Sequence, residues 1–457
     1  MASDVDQTYR YLRPSEVRFG QGRTDVVLAT SGGSTSRGRS EHPVFFDGFL
    51  GHSEQTAAAL LSVAKVARTR FYTPPGMLAA ILRAADPVVT SNGDRLRFES
   101  FSACCGVYAR LDVLPGALDG PALDTGTTNV DFNPPMRAAL ARVGGIDPLH
   151  LAVGEDVVVT TLDGSVTEKK VSLPERWLKG FAEVQLAASR MRPVAEVSAA
   201  EARRFVRALP PGTGSRTRPM WAVPTGRALR LTTRPSADGA GVSGPERLRP
   251  LEPLLRFARS LRAYAPLYDP SAPAAASLWE LALDDARLVL ALSPDASRGF
   301  SGEGGVLWDL SDEQAAVDAE LLSVLLAFEP RIDVPRLAAG AGIAEQRVSS
   351  ALGHLGAAGR VGYDAAEQAF FHRELPFDAA RLEAMHPRLR AARALVDAGA
   401  VRVAGDTAYV TSADTEHVVR RHPEGSRCSC PWYGKHKTGR GPCKHLLAVE
   451  LARRAAE

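Results

Sequence analysis

The sequence is poor in four things, and each scarcity removes a class of protein. Cysteine is sparse, with five among 457 residues, too few for a disulfide scaffold and in keeping with a reducing cytosol. Long apolar runs are missing, and no stretch approaches the ~18 residues that a membrane-spanning helix requires. A charge excess of one sign is missing as well. The 55 Lys+Arg stand against 52 Asp+Glu, leaving +3, whereas a dedicated DNA-binding domain usually carries a large basic surplus. Finally, the start, MASDVDQTYRYL, has no apolar core behind a basic end, so no secretory signal is visible and a cytoplasmic location is expected.

What remains is globular in character. The chain is 45% apolar and 23% charged, which rules out wholesale disorder. Its length calls for three or four domains, and the patterning points to a multidomain α+β protein. Residues 1–42 read as an arm or long loop, partly flexible, because SGGSTSRGRS at 31–40 offers little to bury. An α+β domain is expected over 43–195. It has a helix at 54–68 and an alternating strand at 98–113, where Phe101, Ala103, Cys105, Val107, Ala109, Leu111 and Val113 share one face. A hairpin follows at 157–171, then a helix whose stripe is Trp177, Phe181, Val184 and Ala188. A second α+β domain is expected over 196–310, with strands near 221–223, 227–233, 278–283 and 287–292 and a helix near 251–264.

Residues 311–375 show three helical segments and a small hairpin. The first helix places Val317, Leu321, Val324, Leu325 and Phe328 on one expected core face, and the third carries Val348, Leu352 and Leu355. This order resembles the winged helix-turn-helix family. The exposed side of the third helix has one full positive charge, Arg347, and the hairpin tip carries Asp364 and Glu367. Acidic groups there repel phosphate, so protein docking or a structural role suits this segment better than DNA reading.

The last segment, 376–457, holds the only specific chemistry. Cys428-x-Cys430 is followed by twelve residues and then Cys443-x-His445. Positions i and i+2 of an extended strand point to one side, so both thiolates of the first pair can reach one ion. Three thiolates and an imidazole are the soft tetrahedral set of structural Zn²⁺. A closed set of four leaves no coordination position for water, which argues against hydrolysis at the metal. His422 and His436 lie nearby and read as non-ligands, because the set is already complete.

The Cys-x-Cys, variable loop and Cys-x-His pattern resembles the SWIM zinc-finger family. Strands expected at 401–403, 408–411, 416–421 and 426–430 match that family's ββα sense, as does the apolar helix after His445. The resemblance implies one structural zinc on Cys428, Cys430, Cys443 and His445, and a module that binds nucleic acid or protein. Residues 420–445 carry Arg420, Arg421, Arg427, Lys435, Lys437, Arg440 and Lys444 against Glu424 alone, and three of the seven lysines of the chain fall here. With Trp432 and Tyr433 interleaved, this loop is a candidate for phosphate contact and base stacking, or for a protein face. The whole also resembles, loosely, bacterial multidomain SWIM proteins whose usual neighbours are MoxR-type ATPases and von Willebrand A-domain (VWA) proteins, which implies such partners.

An enzyme is the alternative. No Walker loop, HExxH site or nucleophile elbow occurs. An active site within 43–310 would have to gather polar residues such as Asn129, Asp131, Tyr108 and Arg110, with the finger as a targeting module. Cys104 and Cys105 on one strand would point to opposite faces, which favours a structural role over a redox pair.

Overall fold

The computed structural model describes residues 7–9, 14–20, 22–30, 32–36, 38–40, 43–71, 87–130, 132–153, 171–211, 219–268, 275–375 and 384–456. Most of the hairpin expected at 157–171 lies outside them. No described helix is long and apolar enough to cross a membrane.

A ten-stranded antiparallel sheet organises the N-terminal body. Its order is Met191–Ser198, Ser260–Pro266, Ser277–Leu283, Ala286–Leu292, Val107–Val113, Leu96–Phe101, Val88–Ser91, Gly126–Asn129, Gly33–Thr35 and Gly38–Ser40. Two expectations fall here. The stretch read as an arm supplies two strands to this sheet and two more, Glu16–Gly20 and Arg23–Leu28, to a separate five-stranded sheet. The boundary at 195/196 lies inside the strand Met191–Ser198, so the two expected α+β regions share one sheet. Short Ser/Gly-rich strands carry no apolar alternation, and pairing with neighbours is what orders them.

The expected strand at 98–113 is two strands joined by a tight turn at 102–106. Cys105 occupies that turn with φ 54°, fully buried, and burial pushes its thiol up to about 12. The helix expected near 251–264 is instead a 3₁₀ run, Pro245–Leu254, followed by the strand Ser260–Pro266. Pro250 and Pro253 lack the N–H that a continuous α-helix needs.

Alternation gives the large sheet two buried faces. Phe98, Val107, Ala109, Leu111, Leu288 and Leu290 pack toward α1 (Ser53–Arg68) in one core. Helix α2 (Pro134–Leu140) also contributes to that core, through Met136 and Leu140. On the other face, Phe101, Tyr108, Val289 and Ala291 meet Trp177, Phe181 and Val184 of α3 (Glu175–Ser189). Helix α4 (Ala199–Arg207) seats Phe205 flat on Trp279, ring centroids 5.5 Å apart.

Beyond the sheet come α5 (Leu307–Leu310), α6 (Glu313–Ser323), α7 (Val334–Ala341), α8 (Glu345–Ala357) and the strand pair Val361–Asp364/Ala369–His372. Val348, Leu352 and Leu355 are buried as the spacing predicts. Helix α6 is turned the other way from expectation. Ala315, Ala319 and Leu322 are buried, while Val317, Leu321, Val324 and Leu325 face solvent and only Phe328 of the expected stripe is enclosed. Asp318 lies on the inward side with Ala315, Ala319 and Leu322, buried and accepting two bonds from Arg347 of α8, at 2.8 and 2.5 Å.

The strand pair does not project. It lies against the polar part of the sheet's second face, where a buried ion network seals the joint. Asp364 takes Arg110 at 3.2 Å, Arg287 at 2.7 Å and Arg97 at 3.5 Å. Arg373 binds Glu99 at 2.6 Å, and Arg110 donates to the Tyr363 carbonyl at 2.9 Å. Burial alone pushes the Asp364 carboxyl up, but the guanidiniums of Arg110, Arg287 and Arg97 hold it below the usual carboxylate range. Glu367 caps the edge on Arg95 and Arg287. The two acidic residues read as a phosphate-repelling tip are docking groups.

Candidate metal centre

The C-terminal segment opens with α9 (Pro387–Asp397) and a four-stranded antiparallel sheet, Val401–Ala404, Thr407–Ser412, Thr415–Arg420 and Arg427–Cys428. Ala408, Val410 and Val419 bury one face of it. Two helices then supply the remaining ligands. Cys430 is the N-cap of α10 (Pro431–His436) and its sulfur accepts from the Tyr433 N–H. Cys443 is the N-cap of α11 (Lys444–Arg454) and accepts from the Leu446 N–H. A helix N-terminus carries partial positive charge, which favours a thiolate at each cap. The short helix α10 went unread in the sequence, although Pro431 after a cap-forming Cys430 is its starting signal.

The donor atoms of Cys428, Cys430, Cys443 and His445 all lie within 4.8 Å of one another, and all four residues are buried. Cys428 Sγ stands 3.8 Å from His445 Nδ1. A tetrahedral zinc with Zn–S near 2.3 Å separates its ligands by about 3.8 Å, so the cage has the right size. The thiols compete for protons. Hydrogen bonding from Cys428, assisted by His445 and the Leu446 N–H, pulls Cys443 down, and Cys428 is pushed up in return. Cys430 is raised by burial. Such a set is completed by one divalent soft ion that displaces the remaining protons. The chemistry it supplies is structural cross-linking. His422 and His436 stand outside the cage.

The candidate nucleic-acid contacts divide into two groups. Arg420, Arg421, Arg427, Lys435 and Lys437 are exposed and Lys444 is half-buried. Arg420 and Arg427 are direct cross-strand partners. Trp432 and Arg440 are engaged within the chain. The guanidiniums of Arg388 at 4.8 Å and Arg440 at 5.1 Å both stand over the Trp432 ring, and Arg440 donates to the Gly302 carbonyl at 2.9 Å. Arg388 ties this joint together, donating to the carbonyls of Arg440, Pro442 and Glu303 at 2.8, 3.0 and 3.1 Å. Nothing in its local sequence marked it, because its partners are 52 to 85 residues away. Gly441, at φ 73°, presses on the Gly304 backbone so closely that any side chain there would collide.

Of the residues considered for an enzymatic site, Tyr108, Arg110 and Asn129 are buried to 2% exposure or less, and Asp131 lies outside the described residues. Tyr108 donates to Glu99 at 2.5 Å, and Arg110 is committed to Asp112 and Asp364. A cleft of about 450 Å³ beside α1 includes Ser62 and Thr69, but their hydroxyls donate to the carbonyls of Ala58 and Lys65.

Comparison with known proteins agrees with the geometry at the C-terminus. No curated protein matches the sequence. Among solved structures, Proliferating Cellular Nuclear Antigen from Entamoeba histolytica covers 55% of this chain and 99% of its own, at 8% identity and a TM-score of 0.32. The PCNA2-PCNA3 complex from Sulfolobus tokodaii gives the same coverages at 6% identity and a TM-score of 0.32. Residues 409–454 match the SWIM zinc finger family. That span contains the whole buried Cys₃His cage, and the C-terminal domain of this multidomain α+β chain therefore carries a SWIM zinc finger built for a single structural zinc ion.

Proposed function

We propose that this chain is a non-catalytic adaptor whose zinc finger presents a basic surface to an acidic face of a protein partner. One observation carries the reading: Trp432, the largest ring suited to stacking on a base, is already engaged inside the molecule. Two guanidiniums, of Arg388 and Arg440, stand over the Trp432 ring, and the hairpin of the winged-helix-like segment is sealed to the sheet. Arg420, Arg421, Arg427, Lys435 and Lys437 are exposed, with Arg427 loosely paired to Glu424 at 3.8 Å. A MoxR-type ATPase and a VWA protein are the partners to test first. The sealed positions of Tyr108 and Arg110 support the adaptor over the enzyme.

The same exposed cations favour a second reading, sequence-independent binding to nucleic acid through phosphate neutralisation. A mobility-shift titration of the full zinc-loaded chain at low salt separates the two. The adaptor predicts no shift with single or double strands, and partner binding that falls in the Arg420→Ala, Arg421→Ala, Lys435→Ala, Lys437→Ala variant. A shift that is steeply salt-dependent and lost in that variant would replace it with the nucleic-acid reading.

A further inference from the structure

Helix α6 wears its apolar stripe outward. Val317 is 65% exposed, Leu321 46%, Val324 83% and Leu325 41%. Four large aliphatic side chains on one helical face, continuing into the turn after Ser323, exceed the scattered exposure of an ordinary surface. Their 4–3 spacing is that of a coiled-coil seam, with Leu321 at an a position and Val317 and Val324 at d positions.

Charge along the seam selects what covers it. Glu313 and Glu320, both exposed, stand seven residues apart on one edge, at successive g positions. The helix contains no Lys or Arg. On the other edge Asp318 is buried and satisfied by Arg347. A second copy of this chain fits badly. Antiparallel pairing sets g against g, which brings the Glu313 and Glu320 carboxylates of both copies together. Parallel pairing sets g against e, which places Glu320 against the apolar Leu325 with no cation to pair it, and Glu313 opposite an Asp318 already satisfied by Arg347. Like charges across the antiparallel edge are repulsive, a parallel edge leaves Glu320 unpaired, and both select for a partner of opposite sign.

We propose that this face docks an amphipathic α-helix of another protein, one with an apolar a/d stripe flanked by Lys or Arg at seven-residue spacing. The finger meets this helix only at its start, where Arg454 of α11 pairs with Asp312 at 3.2 Å, and the apolar stripe itself uses no finger residue.

The test uses full-length zinc-loaded protein and two synthetic helical peptides of equal length. Both carry leucine at a and d; one has lysine and arginine at the flanking positions and its twin has glutamate there. Fluorescence anisotropy should show the basic peptide binding at least about tenfold tighter than its twin. Val324→Asp should weaken it by at least about tenfold. The double variant Glu313→Lys, Glu320→Lys should reverse the preference and favour the acidic twin. All these positions are exposed, so the variants should melt like the parent, and sedimentation should find a monomer. Equal binding of both peptides, binding indifferent to Val324→Asp, or a dimer that Val324→Asp dissolves would each overturn the proposal.

Discussion

Glu183 shows how a single side chain registers the packing around it. It is enclosed on α3, accepting from the backbone N–H groups of Gly305 at 3.1 Å and Val306 at 3.4 Å. Burial pushes its carboxyl up to about 8, against the lowering from those two N–H groups and from Arg388. A carboxyl raised above its unfolded value of 4.5 binds an extra proton in the folded state. Stability therefore falls as pH rises from 4.5 towards 8. Glu183→Gln keeps one acceptor and removes the ionisation, so it should flatten that decline and raise the melting temperature at pH 8. A variant whose melting temperature tracks the parent across this window would mean that Glu183 is ionised in the fold. Its place matters because it holds the start of α5, on which the finger rests.

At the scale of elements, the docked hairpin is the feature that departs most from the exposed hairpin that the sequence suggests. Asp364 faces three arginines, and removing one partner of a buried charge set leaves the others uncompensated. Asp364→Ala should cost about 3–5 kcal/mol. Glu367→Ala, at the partly exposed edge of the same network, should cost about 1 kcal/mol or less. Urea midpoints of the two variants check the contrast, and equal small losses would show the network to be solvated. Sequence reasoning read Asp364 and Glu367 as surface acids because a hairpin tip is usually exposed. The partner arginines, Arg97, Arg110 and Arg287, are remote in the chain and lie on strands whose polar alternation looks like a solvent face.

For the whole molecule, the finger is a joint and not a pendant. Leu447, Ala448 and Leu451 of α11 share one apolar cluster with Ala182, Val306, Leu307, Leu310, Ala357, Leu389 and Ala392. Zinc binding is folding free energy for such a small unit, and here that energy reaches into the body through α11. Chelation should therefore raise amide exchange in α5 and α9 as well as in the sheet at 401–428, and lower the melting temperature of the whole. Exchange gains confined to residues 401–456 would make the finger an independent module.

Cys428, Cys430, Cys443 and His445 were legible in the sequence by themselves, because metal ligation demands particular atoms at short, local spacings that survive in any context. So were the buried stripes of α3 and α8 and the single face shared by Val107, Ala109, Leu111 and Val113, which follow from helical and strand period alone, whereas Phe101 and Cys105 belong to the opposite core. Only the tertiary structure decided which way α6 turns, that Arg388 and Arg440 stand over Trp432, that Gly33–Thr35 and Gly38–Ser40 join a sheet, and that the charges on the polar face of that sheet lie under the hairpin. The reason is the same in each case. Two faces of a helix with similar apolar content, or a polar strand face, bury or expose themselves according to partners tens to hundreds of residues away, and long-range pairing leaves no periodic mark in the sequence.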